Sequence, residues 1–389
     1  MSEIRSQPGE FPDPDTITRR SGFSAVRLRD LFRQHYHSTP MDVLLRARVE
    51  SSKRQLLSGG NSCAEIASTV GFESVSVYEQ AFLRLNGMTP QACRDLRSAR
   101  SFEIKLPAGY PLNYLRRALG RDRESVTERL EEGVYRAGIR IVREPYLLRL
   151  GLSPSRISVS VSPGASSLAP VRAMVTGLLG LDQDAAAFSR LAKGIGLDRL
   201  VAHCPELRVH QTHSVFDGLL WAIIGQQINL AFAYKLRRRL MELAGTPMEY
   251  GLVAPPTPEK VASLQTSELL ALQYSRQKAD YIISTARLIA EGKLTPDALR
   301  SMSATRAERT LLAVRGLGVW SVNYLMMRSL NFGDCLPLGD TGVTSGLQSL
   351  LDLKHRPDAA TTRRLTAQFN PYRSLATAHL WQFEKPIPE

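Results

Sequence analysis

Between Ser101 and Ser162 the sequence changes its period. "SFEIKL" sets Phe102, Ile104 and Leu106 on one side, "GIRIVRE" does the same with Ile139 and Ile141, and "RISVSVS" with Ile157, Val159 and Val161. Alternation of this kind belongs to strands with one packed face. Before and after it, apolar residues recur at helical spacing. The pattern predicts a mainly α, multidomain chain: helices to about Arg100, a small α+β unit with a helix from Pro111 to about Leu119, then helix after helix from about Asp182. A length of 389 residues suits two or three domains, and modules at 15–100, 101–180 and 181–389 are expected.

A formal charge of +13, from 50 Lys plus Arg against 37 Asp plus Glu, favours a polyanionic partner such as nucleic acid. Cys63, Cys93, Cys204 and Cys335 form no CxxC pair, so neither a disulfide framework nor a zinc ribbon is implied. In "HCPELRVHQTH", His203, Cys204, His210 and His213 lie close together in a spacing that matches no closed zinc motif. That segment reads as a linker entering a helix at Phe216, with no metal. The polar, Pro-rich start has no signal-peptide core, and no uncharged run approaches the ~20 residues of a membrane span. A soluble, cytoplasmic protein without membrane association is expected.

The first helical region carries two segments with helix-turn-helix grammar, "TITRRSGFSAVRLRDLFRQ" and "CAEIASTVGFESVSVYEQAFLRL". In the second, Ile66 and Ala67 would pack inward, Gly71 would make the turn, and Ser74 would cap a helix carrying Val77, Tyr78 and Phe82. A helix from Met41 to Leu57 would join the two. This region resembles the AraC/XylS family of DNA-binding domains, through "IASTVGFESVSVYEQAFLRLNGMTPQACR" and "LFRQHYHSTPMDVLLRARVESSKRQLL". The resemblance implies two recognition helices, roughly Ala25 to Arg33 and Val75 to Leu83, in successive major grooves of promoter DNA. Arg27, Arg29, Glu73, Ser76 and Glu79 are the candidate contacts. The helix that normally opens the first motif looks short or absent ahead of Thr16. The bland alternative is a helical bundle with no DNA to read.

In "RGLGVWSVNYL", Gly316 and Gly318 interrupt what could have been continuous helix. A helix–Gly-x-Gly–helix turn, here Arg315-Gly316-Leu317-Gly318, exposes backbone N–H groups at a helix N-terminus, a ready site for a DNA phosphate. About twenty residues on, "CLPLGDTGV" puts Asp340 in a Pro/Gly loop before another helix. Together these features resemble the helix-hairpin-helix, Gly/Pro-Asp superfamily of DNA glycosylases. Within it they resemble the 3-methyladenine DNA glycosylase II (AlkA) family, through "FDGLLWAIIGQQINLAFAYKL", "PPTPEKVASL", "GLGVWSVNY", "LPLGDT" and "NPYRSLATAHLW". The α+β unit would then be that family's TATA-binding-protein-like domain. Arg315 replaces the usual Pro before the first glycine. An AraC-type module ahead of an AlkA-type one also resembles the Ada–AlkA fusions of the bacterial adaptive response.

The resemblance implies base excision from duplex DNA containing alkylated bases, by monofunctional hydrolysis with no cofactor other than a monovalent or divalent hydrated cation that the family accommodates at the hairpin. Stripping a base leaves an electron-poor sugar, which a carboxylate stabilises; Asp340 matches that position. Asp334, six residues earlier, reads as solvated. Alkylated purines need electron-rich faces, and Trp320 and Tyr324, four apart, share one helix face. Trp381 matches a third aromatic of the family pocket. Trp320 stands where bifunctional members carry a Schiff-base lysine, so strand cleavage is not expected. The wedge that fills the emptied stack falls on Gln227, with Gln226 and Ile228 beside it. The competing reading is an AraC-type regulator whose glycosylase-like half is inactive. Ada-type regulators sense damage through a zinc-bound cysteine cluster, which this sequence lacks, so sensing would fall to another chain or to upstream residues, or the helix-turn-helix module would only assist DNA binding. A nucleoid-associated bacterial monomer is expected.

Overall fold

The computed structural model describes residues 2–385, which fall into two units. One runs to Lys105 and takes in Gly164–Ala173; the other holds Leu106–Pro163 and the chain from Met174 onward.

The first unit is a run of short capped helices: Pro14–Ser21, Ala25–Tyr36, Pro40–Ser58, Cys63–Thr69, Val75–Asn86 and Pro90–Asp95. Ser24 accepts from the Arg27 N–H and Ser74 from the Val77 N–H, each starting one of the expected recognition helices. Thr39 with Asp42, and Ser62 with Glu65, form capping boxes. Two small cores result. Ile17, Leu28, Phe32, Val43 and Leu44 fill one, and Val49, Leu56, Ile66, Tyr78 and Phe82 the other. The long helix Pro40–Ser58 gives its first half to one core and its second half to the other, so it sets the spacing of the two motifs. Val77, expected beside Tyr78 and Phe82, is 49% exposed and faces outward. Ahead of Thr16 there is a short helix, Ser2–Ser6, whose Ile4 is buried. Buried Arg48 secures the following segment by donating to the carbonyls of Phe11 and Pro12.

In the second unit the strands Glu128–Glu131, Val134–Ile141, Glu144–Leu152 and Arg156–Ser162 form an antiparallel meander, with Ala137 opposite Leu148 and Leu150 opposite Val159. The strand Glu144–Leu152 escapes the period-two test because Leu147 and Leu148 are adjacent and both buried. Adjacent residues of a strand point to opposite faces, so both faces of the sheet are covered at this point. The helix Leu112–Leu119 accompanies the sheet.

Helices Val215–Ile224 and Leu230–Ala244 form a hairpin. They pack with Arg276–Ala290, Ala304–Leu312, Val319–Ser329, Thr341–Leu350 and Arg373–Gln382 around one apolar core that includes Phe188, Leu219, Ile223, Leu240, Ile282, Val322 and Phe369. The meander is tied to this core by a buried ionic cluster. Arg237 donates to Asp217 at 3.2 Å, to Glu128 at 3.4 Å and to the Thr127 hydroxyl at 2.9 Å. Burial works against its charge, but Glu128 and Asp217 outweigh burial and hold the guanidinium above its ordinary pKa. A cluster of this kind adds little net stability and much positional definition, since removing one partner strands the others in the interior.

All four cysteines are unbridged. No helix among the described residues is long and apolar enough to cross a membrane.

Candidate active site

The two hairpin glycines serve different ends. Gly316 has φ +96°, and a Cβ there would lie 2.4 Å from the Tyr281 ring, so the fold itself demands glycine. Gly318 has φ −95° and nothing within 4 Å of where a Cβ would stand. It is the N-cap of Val319–Ser329 without a side-chain cap, so the first N–H groups of that helix open outward past a bare backbone. Leu317 is buried and anchors the turn, while exposed Arg315 lies over the Tyr281 ring at 5.9 Å. Gln226 reaches the same hairpin, donating to the Gly316 carbonyl at 2.8 Å and the Ser321 hydroxyl at 2.9 Å. Its neighbour Gln227 is exposed and held at φ +55°, a left-handed conformation that non-glycine residues adopt at a cost. Ile228 turns inward. Of the three turn residues, Gln227 is therefore the one that projects.

Asp340 is the N-cap of Thr341–Leu350, its Oδ1 accepting from the Val343 N–H at 2.9 Å. The same oxygen accepts from the Trp381 indole N–H at 2.8 Å, and Oδ2 accepts from the Trp320 indole N–H at 3.0 Å. Both oxygens are thus aimed by aromatic side chains. Trp320 stacks on Tyr324 with centroids 5.3 Å apart and planes 23° from parallel; Tyr324 and Trp381 are 6.0 Å apart. The Tyr324 hydroxyl in turn accepts from the Trp221 indole at 3.1 Å. These side chains line a cavity of about 270 Å³, large enough for one base. Capping and site geometry coincide at Asp340: the cap fixes the carboxylate, and the indoles orient it.

Asp334 is not solvated, as its loop position suggested. Its side chain is 2% exposed, accepting from Arg373 at 2.6 and 2.7 Å and from the Asn370 amide at 2.6 Å. The partner lies 39 residues downstream, beyond any local pattern. It is a structural pair, outside the cavity lining. The histidine segment does not converge either. His210 is buried with Nδ1 facing the Leu178 carbonyl at 3.2 Å, and His213 stacks on Tyr135 with Nε2 3.2 Å from its hydroxyl. Among the described residues no three His, Cys, Asp or Glu side chains are grouped to hold a metal.

Residues 220–371 match the family model for HhH-GPD superfamily base excision DNA repair proteins, and residues 17–95 match one for a helix-turn-helix domain. A DNA-3-methyladenine glycosylase of Bacillus subtilis is 34% identical over 52% of this chain and 68% of its own length. The chain belongs to the HhH-GPD superfamily, in its DNA-3-methyladenine glycosylase family. A "Probable bifunctional transcriptional activator/DNA repair enzyme AlkA" of Mycobacterium tuberculosis is 24% identical across 95% of this chain and 77% of its own length, so the likeness spans both units. The fold of a 3-methyladenine DNA glycosylase from Archaeoglobus fulgidus superposes with a TM-score of 0.63 at 22% identity, covering 72% of this chain and 97% of that one.

Three residues of the HhH-GPD site are not singled out in the sequence, two of them without any local signal. Trp221 and Tyr114 line the cavity from a helix of the hairpin and from the α+β part. Gly342 is a third: a Cβ there would come 2.6 Å from Trp381 Cδ1, so the glycine after Asp340-Thr341 lets the indole lie against the helix start. The "GDTG" spacing was available as its signal. The candidate contacts Arg27, Arg29, Glu73, Ser76 and Glu79 are all exposed in the first unit, on or just ahead of the two capped helices.

Proposed function

We propose that this protein hydrolyses the N-glycosidic bond of alkylated bases of the 3-methyladenine type in duplex DNA, leaving an abasic site. The observation that carries the proposal is the Asp340 carboxylate, held by the Trp320 and Trp381 indoles in the wall of an aromatic cavity the size of a base. An extruded base would stack on Trp320 and Tyr324, whose π faces suit a cationic ring. As the bond to C1′ lengthens, positive charge grows on the sugar, and a fixed carboxylate lowers the energy of that state without reorganising. Water then adds to C1′, its proton passes by way of Asp340 to solvent, and the base departs with the bonding electrons. No lysine lines the cavity among the described residues, which supports hydrolysis over Schiff-base chemistry.

In the same proposal Gln227 fills the emptied stack, and the N–H groups after Gly318, with Arg315 beside them, hold a backbone phosphate. A hydrated cation at the hairpin would share that phosphate and has no part in the bond cleavage. The modules 15–100, 101–180 and 181–389 divide the work. The first would read promoter DNA through Arg27, Arg29, Ser76 and Glu79 and regulate a repair response, in a cytoplasmic, nucleoid-associated monomer.

The test is base release from alkylated duplex DNA by wild type and Asp340→Asn, with the freed bases separated by chromatography. Asparagine is as good an N-cap as aspartate, so the helix start survives while the charge is lost. We expect wild type to release 3-methyladenine and the variant to lose about 100-fold or more in rate with DNA affinity retained. Equal turnover by the variant would refute the role of Asp340. Absence of release by wild type would favour a regulator with an inactive C-terminal half.

A further inference from the structure

Four arginines line the cavity, and three of them are engaged. Arg208 donates to the carbonyls of Gly180 and Gln183 and to the Glu206 carboxylate. Arg117 reaches the Gln382 amide oxygen and lies over the Tyr114 ring at 5.3 Å. Arg121 lies against the Tyr234 hydroxyl. Arg328 differs. Its Nε is buried without an acceptor among the described residues, and the ionisable neighbour it meets is His210, whose Nε2 is also buried without a partner. Burial, with the charge of Arg328 second to it, pushes the His210 pKa down to about 3, so the imidazole stays neutral and supplies no counter-charge.

A guanidinium has five donors and no acceptor, so whatever completes it must bring lone pairs. Arg208 also has an unpaired buried Nε, but its terminal nitrogens reach two carbonyls and a carboxylate, whereas the Arg328 Nε stands at the cavity with a desolvation cost that an incoming acceptor would relieve. Its position is also telling. Arg328 follows Tyr324 by four residues and Trp320 by eight on the helix Val319–Ser329, so the stacking wall and the unpaired Nε donor belong to one stripe of one helix.

We propose that Arg328 is a specificity-determining residue that donates to a ring carbonyl of the extruded base, and so promotes excision of 6-oxopurines more than of 6-aminopurines. This rests on the glycosylase reading above. A carbonyl offers two lone pairs to the guanidinium fork, whereas an exocyclic amino group meets it donor to donor. Hypoxanthine and 7-methylguanine carry the carbonyl; 3-methyladenine carries the amino group. Because 7-methylguanine is cationic in DNA and hypoxanthine is neutral, the pair separates hydrogen bonding from charge.

The experiment uses the full chain and its Arg328→Met variant, which keeps the stem and removes the donors. Methylated duplex DNA releases 7-methylguanine and 3-methyladenine in one reaction, so their ratio is independent of how much enzyme is active. A second duplex carries hypoxanthine. We expect R328M to lose about tenfold or more on hypoxanthine and 7-methylguanine while 3-methyladenine release stays within about threefold, and Arg328→Lys to recover part of the loss. An unchanged ratio, whether because all three rates fall together, as for a phosphate contact or a packing role, or because none falls, overturns the inference. Should R328M fail to fold, Arg328→Leu, which likewise lacks donors, carries the same comparison. No release of any base by wild type would overturn the glycosylase reading itself, a result distinct from an unchanged ratio.

Discussion

Replacing each hairpin glycine with alanine separates folding from ligand binding within three residues of chain. At Gly316, alanine meets two penalties: a left-handed backbone at φ +96° that costs about 1–2 kcal/mol, and a Cβ 2.4 Å from the Tyr281 ring that forces repacking worth about 1–3 kcal/mol. A loss of about 3 kcal/mol follows, which lowers the calorimetric Tm of a unit this size by about 6–12 °C. At Gly318, φ is −95° and the Cβ meets nothing, so the only cost is a slightly poorer helix cap, about 0.5 kcal/mol. That methyl group would stand between the helix N–H groups and an arriving phosphate. Lengthening one charge-assisted hydrogen bond weakens DNA binding about tenfold. Scanning calorimetry of the two variants, with fluorescence anisotropy on a duplex holding an abasic-site analogue, reads both effects. A Gly316→Ala protein as stable as wild type, or a Gly318→Ala protein of unchanged DNA affinity, would refute the division of roles.

Three further outcomes are expected. Trp320→Phe keeps the stacking face but removes the N–H that Asp340 Oδ2 accepts, so single-turnover excision should fall about tenfold with little change in Tm. Asp334→Asn should cost about 3 kcal/mol in calorimetry, because Arg373 loses its counter-charge, while Asp334 itself touches no cavity residue's chemistry. His210 and His379 are buried with pKa values pushed down to about 3 and about 4, chiefly by burial. The unfolded chain takes up protons at these residues below about pH 6.5, the native state does not, and so stability should fall as pH drops from about 6.5 towards 4. Urea midpoints across that range should fall less steeply in a His379→Gln variant; an identical slope would remove His379 from the account.

What could be read in the sequence follows the distance over which each signal acts. The recognition helices, their caps and the joining helix are local and cooperative, and they stand where spacing put them. Trp320 and Tyr324 are legible because four residues bring side chains onto one face of a helix. Trp381 has no local mark and is legible only through resemblance. The Asp334–Arg373 pair, the Trp221–Tyr324 hydrogen bond and the lone guanidinium of Arg328 are products of tertiary packing, and no periodicity announces them. The strand Glu144–Leu152 fell on the other side of the same line: burial on both faces of the sheet, supplied by tertiary packing, frees it from alternation.

The placement of the aromatic side chains also has an optical consequence. The chain holds three tryptophans, Trp221, Trp320 and Trp381, and all three line the one cavity. The helix-turn-helix unit holds none. Tryptophan emission, excited to the red of tyrosine absorption, therefore originates wholly at the place where a base would stack, and an incoming ring would quench it with no tryptophan elsewhere to mask the change. The unlabelled protein can report, in stopped flow, when a base arrives and when it leaves, independently of any event at the helix-turn-helix unit.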